Sequence, residues 1–301
     1  KYNYFYIMDP NALNNTQLDK FYTNPEYALY CINKVSELCG DYSQWHSVVE
    51  PSSGNGSFYN QIPCKSKVGI DILPDCDNII QQDFLTYYPT KPEKSQILVI
   101  GNPPFGKISS LAVNFFNHAA KWANVIAFIL PRTFRKNSIQ NRLNPLFHIV
   151  YDEDIPLTPC CFTPRMMAKC CFQIWKKTDI QRKKVVLPTK HKDWEFLAYG
   201  PKDEKGQPTP PLSADFAIRA YGGKIGEIRK KNLHELRPKS WHWIRSNVDI
   251  EKLCNTLLQL DFSSSLNTAR QNSMGRAELV NLYIKFNNVN NNTQLSNKNE
   301  H

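Results

Sequence analysis

The 301-residue chain predicts an α/β fold: a mostly parallel sheet with helices on both faces, followed by a smaller, basic α+β segment. Three observations predict it. Short apolar runs alternate with segments of helical apolar spacing between residues 24 and 175. Acidic or glycine-rich turns follow several of those runs, where open α/β sheets hold their ligands. The charge is also uneven. Overall 37 Lys plus Arg face 27 Asp plus Glu, but the stretch from Gln181 to Arg245 holds 15 of those cations against 7 acids.

In chain order, Asn24 to Leu38 places Tyr27, Ala28, Cys31, Ile32 and Val35 at helical spacing, which predicts a helix. His46 to Glu50 is a strand running into a Gly-rich turn. Lys67 to Ile72 and Ile79 to Leu85 are the next strands. Gln96 to Ile100 is a strand that stops at Asn102-Pro103-Pro104. Ser110 to Trp122 predicts a helix, Val125 to Leu130 a strand and Ser138 to Asn144 a short helix. Phe147 to Tyr151 and Lys169 to Trp175 complete the sheet. Beyond it, Tyr199 to Pro211 is a loop by its Pro and Gly content, and Gly222 to Gly226 a turn between two strands. That turn lacks the Lys-Ser/Thr ending of a phosphate loop. A helix is expected from about Arg276, with Ser273 as its cap. The Asn-rich residues 287–301 are expected to be disordered. The domain reading is therefore 1–180, 181–286 and the tail 287–301.

Composition excludes some classes. Hydrophobic residues at 41% and aromatics at 12% suffice for a core, so wholesale disorder is excluded. The longest apolar run, Val125 to Leu130, is strand-sized and far below the roughly 20 residues that span a bilayer. The first residues, KYNYFYIMDP, lack the apolar region and cleavage site of a secretory signal. A soluble protein, cytoplasmic or nucleoid-associated, is the expectation, with no membrane partner. The nine cysteines include two doublets, Cys160-Cys161 and Cys170-Cys171, but no C-x2-C pair. Adjacent thiols on a strand point to opposite faces, so buried reduced thiols are expected and no metal site.

Four turns carry candidate chemistry. Val48 to Phe58 (VVEPSSGNGSF) runs a strand into Glu50 and then a turn whose glycines, Gly54 among them, let a ligand approach the backbone. Gly69-Ile70-Asp71 ends the next strand on a carboxylate, the position that takes ribose hydroxyls in nucleotide-binding sheets. Gln82-Asp83-Phe84 offers an acid and an aromatic suited to an adenine amino group and ring. Asn102-Pro103-Pro104-Phe105 follows the fourth strand. Two prolines restrict the backbone and leave carbonyls unpaired, so the Asn102 amide oxygen and the Pro103 carbonyl can accept both hydrogens of a planar amino group. Phe105 offers a face for the ring that carries that group. Two such acceptors draw the nitrogen lone pair toward tetrahedral geometry as it attacks a methyl sulfonium.

With Phe21-Tyr22-Thr23 placed first, these motifs occur in the order seen in class I S-adenosylmethionine-dependent amino methyltransferases. The whole resembles the gamma-type, TaqI-like DNA adenine-N6 methyltransferases over roughly Asp19 to Lys177. The resemblance implies a Rossmann-like catalytic domain in residues 1–180 and a target-recognition region in 181–286. It implies that Tyr22, Thr23, Glu50, Gly54, Asp71, Asp83, Phe84 and Asn102 contact S-adenosyl-L-methionine or line its pocket. Asn102, Pro103, Pro104 and Phe105 are the implied catalytic set. Phe162, in Cys161 to Ala168 (CFTPRMMA), would pack on the second face of a flipped adenine, or else be a core residue.

The family often has Tyr where this chain has Phe105. Phe keeps the stacking face and loses a hydroxyl. NPPF is also similar to the motif of RNA adenine and guanine methyltransferases and of glutamine methyltransferases acting on release factors. DNA is the favoured partner, because the basic segment with Arg229, Lys230 and Lys231 suits phosphates. RNA is the alternative. A nucleic-acid-binding module with an inactive methyltransferase fold is a third reading, disfavoured by the intact motifs. Trp241 and Trp243 suit a core or a stacking platform equally. A restriction-system partner is left open.

Overall fold

A computed structural model describes residues 20–90 and 95–296, and the chain divides into two units between Lys184 and Val185. In the first unit the elements are β1 (Tyr22–Thr23), α1 (Pro25–Cys39), β2 (Ser47–Pro51), β3 (Lys67–Asp71), β4 (Ile79–Gln81) and β5 (Ile97–Gly101). They continue with α2 (Ser110–Ala119), β6 (Val125–Pro131), α3 (Asn137–Gln140), β7 (Phe147–Asp154), β8 (Phe162–Thr163) and β9 (Cys170–Lys177). Seven strands form one sheet in the order β4-β3-β2-β5-β6-β9-β7. The first five are parallel, and β9 runs antiparallel to both of its neighbours. Those five repeat the 3-2-1-4-5 order of a doubly wound sheet, so the expected Rossmann-like fold is observed. The strand order reverses between β2 and β5, which places a crevice at their carboxyl ends.

Side-chain alternation explains why the central strands read as unbroken apolar runs. Val49, Ile97 and Val99 pack with Phe115 and Phe116 of α2, while Val48, Leu98 and Ile100 pack with Cys31, Ile32 and Val35 of α1. Both faces are covered, so both sets of alternating positions must be apolar. The cysteine doublet on β9 obeys the same rule: Cys171 belongs to the first cluster and Cys170 to the second. All nine cysteines are free thiols, and among the described residues no cluster of His, Cys, Asp or Glu is arranged to hold a metal. No helix among the described residues is long and apolar enough to cross a membrane.

The second unit contains β10 (Trp194–Phe196), β11 (Phe216–Arg219), β12 (Ile228–Arg229), β13 (Trp241–Ser246), α4 (Ile250–Leu258) and α5 (Arg276–Ser296). Its sheet is antiparallel in the order β10-β13-β11-β12. Gly222 to Gly226 forms part of the hairpin connection between β11 and β12. Trp241 and Trp243 are buried with Ala217, which decides for a core role; the Trp243 indole donates to the Pro238 carbonyl at 3.1 Å.

Two expectations are corrected here. The tail expected to be disordered from residue 287 is helical as far as Ser296, while residues 297–301, like the first 19, lie outside the described residues. The segment contains no Gly or Pro, and extending an existing helix costs far less than starting one, so a run of Asn does not stop it. Ser273 does not cap α5. It bridges to Tyr221, and the Glu278 carboxylate accepts from the Gly275 N–H at 2.6 Å instead. Arg182 to Lys184 also belong to the first unit. The Arg182 guanidinium donates to the Phe147 carbonyl at 2.6 Å and lies over the Trp175 ring, so this cation is used in packing.

Candidate cofactor and target-base site

A cavity of about 610 Å³ opens at the carboxyl ends of β2, β3, β4 and β5. Its wall includes Tyr22, Gly54, Asp71, Asp83, Phe84, Asn102, Pro103, Pro104 and Phe105, nine of the residues expected from the sequence. Gly54 to Phe105, up to 51 positions apart, converge because parallel strands deliver their following turns to one edge of the sheet, and Tyr22 joins them from the β1–β8 ribbon.

The turn after β2 is built to present backbone. Ser53 ties it to β3, its hydroxyl donating to the Glu50 carbonyl at 2.9 Å and accepting from the Ile70 N–H at 3.0 Å. Gly54 sits at φ +50°, and a β-carbon there would come within 2.8 Å of the Tyr22 ring. Both conditions require glycine. The Gly54 N–H donates to Asp71 Oδ2 at 2.8 Å, and the Leu73 N–H to Oδ1 at 2.8 Å. Each carboxylate oxygen thus keeps a lone pair for a ligand. Burial pushes the Asp71 carboxyl up, more than the two backbone donors and the nearby Lys20 draw it down.

Lys20 and Tyr22 form a clasp across the cavity wall that the sequence reading did not identify. The Lys20 ammonium donates to Asp75 at 2.8 Å and to the Leu73 carbonyl at 2.7 Å, and the Tyr22 hydroxyl donates to Asp75 at 2.5 Å. Burial raises the Asp75 carboxyl, but these two donors outweigh it and hold the group below its usual range. Burial, then the bond to Asp75, pushes the Tyr22 phenol well up. Lys20 directly precedes the FYT element and Asp75 follows Asp71 by four residues, but no local spacing pairs the two.

Asn102 is oriented from the same segment. Its carboxamide nitrogen donates to the Phe21 carbonyl at 3.0 Å. A carbonyl only accepts, so the amide nitrogen must face Phe21 and the oxygen must face the other way. Asp83 accepts from the Leu85 N–H at 2.9 Å, and Phe84 packs against Phe115 at 5.0 Å between ring centroids.

Three expected residues stand outside the cavity wall. Glu50 is only 2% exposed; its carboxylate accepts from the Tyr59 N–H at 2.7 Å, and burial drives the group strongly toward its neutral form. Thr23 is buried with a hydroxyl that has no hydrogen-bond partner among the described residues. Phe162 pairs with Thr23 in the β1–β8 ribbon and packs into the α1-side core, the second of its two expected places. A two-stranded ribbon turns alternate side chains inward, and Phe162 takes an inward position. Met166, from the same sequence segment, lines the cavity instead.

Arg229, Lys230 and Lys231 lie in the second unit. Arg229 pairs with Glu227 at 2.7 Å and Lys230 with Glu251 at 2.7 Å, while Lys231 is exposed. Two of the three cations are therefore already partnered.

No protein-family model matches the chain, and no curated protein does. Solved structures are similar in fold. A proposed RNA methyltransferase from Pyrococcus horikoshii is 14% identical with a TM-score of 0.42, over 55% of this chain and 91% of that one. Magnesium protoporphyrin IX methyltransferase from Synechocystis PCC 6803, solved with bound SAM, is 11% identical with a TM-score of 0.38, over 51% and 79%. A SAM-dependent methyltransferase from Aquifex aeolicus is 10% identical with a TM-score of 0.32, over 56% and 98%. At these identities and scores the likeness assigns no residue a role.

Proposed function

We propose that this chain is an S-adenosylmethionine-dependent methyltransferase acting on a planar amino nitrogen, with adenine N6 of DNA as its target. The observation that carries the reading is the fixed carboxamide of Asn102, set between Phe21 and a cavity that also holds Asp71, Asp83 and Phe105. The residues present fit the cofactor. Asp71 has lone pairs left for ribose hydroxyls, Asp83 for an adenine amino group, and the Gly54 turn admits close approach of a ligand. When bound, the cofactor supplies an electrophilic methyl group.

The chain's own part is positioning and electrostatics. The amino nitrogen of adenine is a poor nucleophile because its lone pair is delocalised into the ring. Asn102 Oδ1 and the Pro103 carbonyl accept its two hydrogens and favour tetrahedral geometry as the nitrogen attacks. Phe105 stacks on the ring that bears it. Reaching a paired base requires flipping it from the duplex. The cations of the second unit support a phosphate-bearing substrate. The test is incubation with labelled methyl donor and separate DNA, RNA and protein pools, followed by nucleoside analysis. Label in N6-methyladenine from DNA is the expected result. Label confined to RNA or to protein glutamine overturns the DNA assignment, and no label in any pool overturns the enzyme reading.

A further inference from the structure

The loop directly after Phe105 holds an unusual residue. Ile108 has φ 54° and ψ 38°, the left-handed region, and the residue is 78% exposed. A β-branched residue in this region is a true outlier, and strain of this kind persists only where the surroundings enforce it. Here the enforcement is visible. The next residue, Ser109, is also left-handed at φ 58° but buried, and its hydroxyl bonds the Thr133 hydroxyl at 2.9 Å. Gly106 and Lys107 before it, and Leu111 after it, line the cavity. Ile108 is thus exposed on a loop whose flanking residues line the cavity and whose next residue, Ser109, is anchored on Thr133. Folding alone gains nothing from it, because exposing this side chain forgoes its burial while the backbone is strained.

Resting on the DNA reading above, we infer that Ile108 is an apolar wedge that enters the duplex beside the target base. Proteins that unstack DNA insert Ile, Leu, Met, Phe or Pro between base steps to offset the loss of stacking. Flipping an adenine leaves such a gap, and an exposed apolar side chain three residues after Phe105 is suited to fill it. Lys107, a cation on the cavity wall one residue earlier, is placed to meet a backbone phosphate of the same nucleotide.

The test compares Ile108→Asn and Ile108→Ala with wild type on three oligonucleotides. These carry the target adenine in a duplex, in single-stranded DNA, and opposite an abasic position. Asn tolerates the left-handed conformation and is polar, so Ile108→Asn separates loss of the wedge from loss of the fold. Duplex methylation should fall by on the order of tenfold or more, since a few kcal/mol of unstacking goes uncompensated. Rates on single strands and at the abasic site should stay within about twofold, thermal stability of Ile108→Asn should not fall, and cofactor affinity should be unchanged. Equal losses on all three substrates, or no loss on the duplex, overturn the wedge while leaving the methyltransferase reading in place. A wild-type enzyme that methylates none of the three overturns the DNA reading and the wedge with it.

Discussion

The carboxamide nitrogen of Asn102 donates to the backbone carbonyl of Phe21 at 3.0 Å, across 81 residues of sequence. This bond sets which end of the amide the cavity meets. It links the short N-terminal FYT element to the turn after β5, two motifs that meet on the wall of one cavity.

Asn102→Ala should leave cofactor affinity within a few-fold and lower turnover at least about a hundredfold, because an acceptor aimed at developing charge is worth on the order of 3 kcal/mol. Asn102→Asp should be nearly as impaired. A carboxylate cannot donate to the Phe21 carbonyl and loses its fixed orientation. Single-turnover rates with saturating cofactor decide this, and a near wild-type rate in either variant would remove Asn102 from the chemistry.

Asp71→Ala should weaken S-adenosylmethionine binding by roughly 1.5–3 kcal/mol, the size of charge-assisted hydrogen bonds. It also unpairs the Gly54 and Leu73 N–H groups, so stability should fall as well. Asp71→Asn keeps one acceptor oxygen and should recover part of the stability without recovering the affinity. Calorimetry alongside thermal unfolding separates the two effects; unchanged affinity in both variants makes the acid purely structural.

Neutralising Arg229, Lys230 and Lys231 together should reduce the slope of log affinity against log salt on duplex DNA by about 1. Each phosphate contact contributes about 0.9, and Arg229 and Lys230 already face carboxylates, leaving Lys231 as the main contributor. Filter binding at several salt concentrations measures it. A reduction near 3 would mean that Glu227 and Glu251 release their partners on binding.

His242 should make stability depend on pH. Burial lowers its pKa to about 4, and its Nε2–H donates to the Met274 carbonyl at 2.8 Å. Nearby Arg276 lowers it further, while this hydrogen bond and Glu278 oppose the shift. The folded pKa lies below the unfolded value of about 6.5, so between these values the unfolded chain binds more protons. The contribution is therefore intact above about pH 6.5 and is lost progressively as pH falls toward 4, by about 2–3 kcal/mol. Denaturant titrations of wild type and His242→Gln across that window check it. The variant should show a flatter dependence, and parallel curves would exclude His242 as the cause.

The sheet and its ligand edge are legible in the residue pattern alone. Buried parallel strands must be apolar on both faces, so Val48 to Glu50, Ile97 to Ile100 and Val125 to Leu130 announce themselves without any contact information. The residues closing those strands are nearly as legible, because a topological switch point leaves Gly54, Asp71, Asp83 and Asn102 to Phe105 one place to converge. Features that depend on partners distant in the chain are not legible in this way. Lys20 and Asp75 clasp through side chains whose pairing no local pattern encodes. Phe162 turns into the core because a ribbon's inward face is set by its pairing with β1, and it is Met166 that reaches the cavity. Arg229 and Lys230 count as free cations in a composition but meet Glu227 and Glu251 in space. Ile108 is an ordinary loop residue in the sequence, and the anchoring of Ser109 on Thr133 is what turns it outward. Local propensity and periodicity arise from short-range sterics and burial; the pairing of side chains and the strain of a loop arise from contacts that exist only once the chain has closed on itself.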